Sequence, residues 1–103
     1  MPTTMPTVLD RQYPDTAYGR AAEAHDIAKH RAWYDFTQEA LSDAWRAYSN
    51  GRTTQARRIL AKQIRENQGF IERDRVERNE RPADHILTSE NWALTEFLIS
   101  LCE

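Results

Sequence analysis

Residues 16–50 read TAYGRAAEAHDIAKHRAWYDFTQEALSDAWRAYSN, and aromatic and small side chains recur along this stretch at helical spacing. At about 3.6 residues per turn these side chains fall on one side of a helix, whereas polar residues such as Asp35, Glu39 and Arg46 fall on the other. The apolar side comprises Ile27, His30, Trp33, Tyr34, Thr37, Ala40, Leu41, Ala44, Trp45 and Tyr48. The pattern predicts one long amphipathic helix over these residues.

A second, arginine-rich helix follows a predicted turn at Asn50-Gly51. Glycine readily adopts the left-handed conformation that ends helices. Thr53 or Thr54 can then cap the next helix through a side-chain oxygen. Its apolar stripe covers residues 56–71, with Gly69 as a possible break.

A charged segment and a short last helix complete the chain. Residues 72–81 alternate acidic and basic side chains, which favours a solvated continuation of the second helix. Pro82 ends that continuation, because proline disfavours a helical residue before it. Thr88 or Ser89 is expected to cap a last helix that extends to about Cys102.

These patterns predict an all-α fold with three main helices: one long amphipathic helix, a second arginine-rich helix and a short C-terminal helix. Residues 1–15 contain three of the four prolines and predict a flexible N-terminal arm. Residues 16–103 predict a single helical domain. Asp15 or Thr16 is the expected first cap, although Gly19 weakens the first turn and moves the expected start nearer Arg20.

The composition excludes several classes of protein. A net charge of -2, 29% charged residues and a mean hydropathy of -0.81 describe a solvated surface with no overall attraction to nucleic acid or membrane. No apolar run approaches the roughly 20 residues that span a bilayer, and the first residues lack the pattern of a signal peptide. Cys102 is the only cysteine, so no internal disulfide is expected. We expect a cytoplasmic protein without a cofactor.

The histidines and carboxylates do not predict a metal site or a catalytic site. His25 and His30 are separated by about 140° around a helix, so they cannot converge on one ion. His30 belongs to the apolar band and is expected at an interface, whereas His25 and His85 are expected to face solvent. The carboxylates alternate with arginines on exposed helix faces, and the usual phosphate-binding and nucleophile motifs are absent. We therefore predict that the chain is not an enzyme.

A small DNA-binding regulator is the main alternative. Residues 52–65 contain no acidic side chain and carry a charge of +5, which could contact phosphates. The basic residues are Arg52, Arg57, Arg58, Lys62 and Arg65. The turn at Asn50-Gly51 is partly similar to a helix-turn-helix. Arg57, however, occupies the position where that motif needs an apolar residue.

The aromatic surface is larger than three helices can cover, which favours a binding protein. Trp92 and Ile99 lie about 150° from the core side of the last helix, and Phe36 lies off the main apolar band. The predicted interface residues are Trp33, Tyr34, Phe36, Trp45, Tyr48, Phe70, Ile71, Trp92 and Ile99. We expect a protein partner and a homodimer, with nucleic acid the less favoured ligand.

In its length, its aromatic band over residues 33–48, its Arg57-Arg58 pair and its apolar C-terminal helix, the chain resembles the QslA-type bacterial quorum-sensing antiactivators. The resemblance spans residues 21–102. It implies a small inhibitor that binds the ligand-binding domain of a LuxR-type transcription factor and blocks its dimerisation. No functional residue is carried over from that family. Small helical phage inhibitors of bacterial defence complexes share this overall character and are a further alternative.

Overall fold

The computed structural model describes residues 13–102, and the regular secondary structure of this part of the chain is entirely helical, without strands. Its helices are α1 (Ala17–Arg31), α2 (Asp35–Ser49), α3 (Thr53–Arg78) and α4 (Ile86–Ser100), with a short 3₁₀ helix (Pro82–Asp84) before α4. The all-α prediction is confirmed, but the described residues form four α-helices where the sequence predicted three. None of these helices has the length and apolar character that a bilayer crossing requires.

The start of α1 is fixed by local contacts. The Oγ1 atom of Thr16 accepts a hydrogen bond from the Gly19 N–H at 3.0 Å, so Thr16 is the cap. A Cβ added to Gly19 would lie 1.9 Å from the carbonyl oxygen of Pro14, so only glycine fits here. Tyr13 donates a hydrogen bond to Asp26 and ties the first described residues to α1. Residues 1–12 of the predicted arm lie outside the described residues.

The prediction of one long helix over residues 16–50 is wrong, because the helix is interrupted at residues 32–34. Two side chains from outside the junction account for the break. Glu90 Oε2, on α4, accepts hydrogen bonds from the backbone N–H groups of Trp33 at 2.6 Å and Tyr34 at 3.0 Å. These bonds cap α2, whose own first residues provide no side-chain cap.

The carbonyl end of α1 is capped from α2. The Gln38 Nε2 group donates to the carbonyl oxygens of Lys29 at 2.6 Å and Ala32 at 2.8 Å. The Lys29 ammonium returns toward α2 and donates to Ser42 Oγ at 2.7 Å. Helix termini leave backbone groups without intrahelical partners, and here polar side chains satisfy them on both sides of the junction.

Of the other helix ends, the turn after α2 agrees with the sequence prediction and the start of the last helix does not. Gly51 has φ 81°, so the predicted turn after α2 is confirmed. Helix α3 continues through Gly69 without a break and ends at Asn79, which has φ 55°. The expected start of the last helix at Thr88 or Ser89 is wrong. It begins at Ile86, capped by the His85 side chain.

The core is small and rich in alanine. Helix α4 packs between α1 and α3, α2 packs on α3, and α1 touches α2 only lightly. Among residues 13–102, thirteen apolar side chains are buried, of which seven are alanines; the larger ones are Leu41, Leu60, Leu87, Leu94, Phe97 and Leu101. Large apolar side chains therefore remain outside.

Candidate protein-binding surfaces

Eight large apolar side chains of the described residues are exposed, against six that are buried. The exposed ones are Tyr18, Trp33, Phe36, Phe70, Val76, Ile86, Trp92 and Ile99. Single exposed apolar residues are ordinary, but contiguous apolar patches mark binding sites. Several of these side chains form two such patches, one beside α4 and one beside α2.

The first patch is a groove between α3 and α4, hereafter the α3–α4 groove, with a volume of about 510 Å³. Ile64 and Ile71 line its α3 side, and Trp92 and Ile99 line its α4 side. Trp92 is 65% exposed and Ile99 56% exposed, so the groove is open to solvent. The structure thus brings together Ile71, Trp92 and Ile99 of the predicted interface.

The second patch, hereafter the aromatic patch, joins α2 to α3. Tyr34 and Phe36 stack with ring centroids 5.0 Å apart, and Phe36 lies 6.2 Å from Phe70. The Arg73 guanidinium carbon lies 5.0 Å from the centre of the Phe70 ring, a cation–π arrangement. Phe36 and Phe70 are each a little over one-third exposed. Three more of the predicted interface residues therefore meet on one surface.

Trp45 and Tyr48 are placed differently from the other predicted interface residues. Both are half-buried, and Trp45 stacks on His25 at 4.9 Å and approaches Phe97 at 6.3 Å. Tyr18 covers both rings, at 5.4 Å from Trp45 and 6.0 Å from Tyr48. These contacts make Trp45 and Tyr48 an edge of the core. Trp33, at 75% exposed, points away from the molecule beside the helix break.

The expected solvent exposure of His25 and His85 is wrong. His30 is exposed, and its place at an interface stays a prediction. His25 packs against Trp45 and Phe97, and burial lowers the pKa of its imidazole. His85 is 8% exposed. It is buried because its side chain packs against Asp74 where α3 meets α4.

Asp74, Glu80 and His85 form a cluster that joins the end of α3 to the start of α4. His85 Nε2 lies 2.7 Å from Asp74 Oδ2 and 4.0 Å from Glu80 Oε1. One ligand atom from each residue lies within 4.8 Å of the others, a spacing that a zinc ion, with bonds of about 2.0–2.2 Å, could bridge after small shifts. The sequence did not suggest this cluster, because its members are brought together only by the turn over residues 79–85.

The hydrogen bonds of His85 argue against a metal ion there. His85 Nδ1 accepts from the Leu87 N–H at 3.1 Å, so the imidazole proton resides on Nε2 and is donated to Asp74. A metal on Nε2 would move that proton to Nδ1, where it would face the Leu87 N–H. Arg73 and Arg78 also lie 3.6 and 3.9 Å from Asp74 Oδ1. The cluster serves the helix junction better than it would serve a cation.

The His85 contact also lowers the pKa of the Asp74 carboxyl, with smaller contributions from Arg78 and Arg73. Asp74 is therefore held as a carboxylate inside the junction. We call Asp74 and His85 together the Asp74–His85 clasp.

The basic residues of the alternative hypothesis lie on the first half of α3 and just before it. Arg58, Lys62 and Arg65 are exposed, and Arg57 is half-buried. Lys62 lies 4.0 Å from Glu66, whereas within residues 13–102 no carboxylate lies within 4.0 Å of Arg52, Arg57, Arg58 or Arg65. The helix that precedes the turn at Asn50-Gly51, α2, has 15 residues.

Glu90 is the residue that sequence reasoning missed most clearly. It is fully buried, and its Oε1 atom has no hydrogen-bond partner within residues 13–102. A signal was available, because Glu90 lies three residues after Leu87 and seven before Phe97, on the core side of α4. A carboxylate at a core position indicates a buried polar role.

Comparison of the chain with protein-family models, with curated proteins and with solved structures found no match.

Proposed function

We propose that this chain is a small non-enzymatic regulatory protein that binds a larger protein through the α3–α4 groove and the aromatic patch. One observation carries the proposal: eight large apolar side chains of the described residues are exposed, against six that are fully buried. Burying apolar surface is the main driving force of protein association. Exposed Trp and Tyr side chains near the centre of a patch are frequent binding hot spots.

Inhibition by occlusion is the proposed mechanism. Helix faces that cover a partner's own oligomerisation surface act stoichiometrically and need no catalytic group. The cluster of titratable groups found within residues 13–102 is engaged in joining α3 to α4. The first partner class to test is a LuxR-type transcription factor, which the resemblance implies.

The test begins with a tagged wild-type chain used to capture proteins from a nuclease-treated bacterial lysate. Trp92→Ala and Phe70→Ala remove one anchor from each patch, and Val76→Ala serves as control because Val76 is 67% exposed outside both patches. A partner that is lost with either anchor variant and kept with the control supports the proposal.

Measurements on the purified partner then test whether the mechanism is occlusion. Light scattering should show its oligomer dissociating as the chain is added, with saturation at a fixed stoichiometric ratio. A partner that keeps its oligomeric state, or that is chemically altered by substoichiometric chain, contradicts occlusion. The homodimer remains a separate prediction, to be tested by sedimentation velocity of the chain alone.

A DNA-binding regulator is kept as the second candidate because Arg52, Arg58 and Arg65 are exposed and lack a carboxylate within 4.0 Å in the described part. This candidate predicts that DNA affinity falls steeply with salt. It also predicts loss of affinity in Arg58→Gln and Arg65→Gln. Retention of a protein partner, but not of DNA, at low salt excludes it.

A further inference from the structure

We infer that the α3–α4 groove accepts an amphipathic helix of about three turns whose flank toward α3 is acidic. The inference rests on the proposed function and names the class of partner. It is drawn from the spacing of the groove side chains and from the charges beside the groove.

The groove has the geometry of a helix-binding site. Its α4 wall is formed by Thr88, Trp92, Thr95 and Ile99, which alternate spacings of four and three residues. Its α3 wall is formed by Ile64, Gln68 and Ile71, with the same alternation. Such spacing produces a straight seam along one side of a helix. Two seams side by side leave a channel into which a third helix packs.

The length of the groove sets the length of the partner. From Thr88 to Ile99 the α4 wall extends about 16 Å at about 1.5 Å per residue. A partner helix of roughly 11–12 residues would contact the whole wall. An extended peptide is disfavoured, because the described residues offer no strand edge to which it could add.

The charges beside the groove differ between its two walls. Arg57 lies seven residues before Ile64, on the same side of α3, and Arg65 lies three residues before Gln68. Neither arginine has a carboxylate within 4.0 Å among the described residues. On the α4 wall, Glu96 is the acidic lining residue. A bound helix would therefore place acidic side chains toward α3 and neutral or basic ones toward α4.

A second copy of the chain complements these charges less well. In α4 the exposed acidic residue is Glu96, which in a symmetric contact would have to serve both copies. In α2 the exposed acidic residues Asp35, Glu39 and Asp43 lie opposite an apolar side that is already buried in the fold, so α2 offers the groove no free apolar seam. An acidic helix from a different protein satisfies Arg57 and Arg65 directly. Charge complementarity of this kind mainly sets the specificity and rate of binding.

The test is a display library of 15-residue helical peptides selected against the full chain. The apolar seam of each peptide is fixed as Leu and Ile, and the positions on both flanks vary among Glu, Lys and Gln. We expect the enriched peptides to carry Glu on one flank and Lys or Gln on the other. Fluorescence polarisation of the enriched peptides then measures affinity for wild type and variants.

Four variants locate the binding site. Trp92→Ala should weaken binding at least about 30-fold if Trp92 is a hot spot. Arg57→Gln should weaken it several-fold, with a smaller dependence on salt. Arg46→Gln and Val76→Ala are the matched controls, since both residues are exposed on other surfaces, and they should leave affinity unchanged. Circular dichroism confirms that each variant is folded.

Three results of the peptide selection overturn the inference: no charge preference on either flank, binding that Trp92→Ala does not weaken, or no enriched peptide at all. A wild-type dimer that becomes monomeric in Trp92→Ala also overturns it, by assigning the groove to a second copy. The proposed function fails separately. A captured partner that is lost only with Phe70→Ala preserves the proposed function while rejecting the groove as the site of an acidic helix.

Discussion

The junction between α1 and α2 and the junction between α2 and α3 each contain three residues, yet they are built in opposite ways. Residues 50–52 include Gly51 in the left-handed conformation, and their N–H groups bond to the end of α2, as in the Gly51–Tyr48 bond of 3.0 Å. Residues 32–34 are Ala-Trp-Tyr, without glycine or proline, and their N–H groups at Trp33 and Tyr34 bond to Glu90.

The difference separates a turn encoded locally from a turn imposed by packing. Asn50-Gly51 would end a helix in an isolated peptide, because glycine carries no steric penalty at positive φ. The residues at the first junction would continue a helix if α4 were absent. A carboxylate more than fifty positions away in the chain is what makes the interrupted arrangement the stable one.

The largest loss of stability should come from replacing Glu90, the hydrogen-bond acceptor at the junction between α1 and α2. Glu90→Ala leaves the N–H groups of Trp33 and Tyr34 without their acceptor. A hydrogen bond to a carboxylate contributes about 1.5–3 kcal/mol, so loss of the two bonds should lower the free energy of unfolding by about 3 kcal/mol. Urea denaturation followed by circular dichroism measures it. Glu96→Ala, an exposed position on the same helix, is the control and should change little. A loss below about 1 kcal/mol would mean that Glu90 does not hold the break.

A smaller effect is expected at the other side of the same junction. Gln38→Ala removes two hydrogen bonds to the α1 carbonyls, and we expect a loss of about 1–2 kcal/mol. Gln55→Ala, at an exposed position of α3, is the matched control and should be neutral. If the two variants unfold at the same urea concentration, then Glu90 alone determines the break.

At the junction between α2 and α3, a substitution should change the free energy of unfolding only through the backbone conformation that it requires. An alanine Cβ at Gly51 would meet no atom within 4 Å, so Gly51→Ala should cost only the left-handed conformation, about 1 kcal/mol. Gly69→Ala should change stability in the opposite direction. It lies inside α3 with equally open surroundings and should stabilise the protein by about 0.5–1 kcal/mol. Equal effects at both positions would show that φ at Gly51 does not matter.

The junction between α3 and α4 combines a locally encoded turn with a contact between side chains of the two flanking segments. The pH dependence of stability tests that contact. Asn79 turns the chain locally, while the Asp74–His85 clasp holds the two helices together. Because the folded pKa of Asp74 is lowered, its contribution to stability is present above the unfolded pKa and is lost as pH falls through the folded one.

Asp74→Asn should therefore be less stable than wild type at pH 7, by less than Gly51→Ala, because the Asn oxygen can still accept from His85. The difference between the variant and wild type should shrink as the pH falls below about 5, where the unfolded carboxyl begins to bind protons. Thermal melts between pH 2.5 and 7 measure it. A difference that stays constant across this range would show that the carboxylate charge is not involved.

The sequence by itself determined the helical class, the cap at Thr16 and the turn between α2 and α3. Periodic apolar residues, a threonine cap and the glycine turn at Asn50-Gly51 act through neighbouring residues, so their effect does not depend on the rest of the fold. The predicted end of the arginine-rich helix at Pro82 is wrong, because α3 already ends at Asn79. The same local pattern placed Trp92 and Ile99 away from the core side of α4, where the structure exposes them. Exposure of these side chains needed only the helical period.

Tertiary structure alone decided the division of residues 17–49 into α1 and α2 and the grouping of exposed residues into two patches. Both depend on contacts between distant parts of the chain, such as Glu90 with Trp33 or Phe36 with Phe70. An amphipathic pattern shows which side of a helix is apolar but not which helix will cover it. The helical period places Glu90 on the core side of α4, but only the packed structure shows that its carboxylate caps α2.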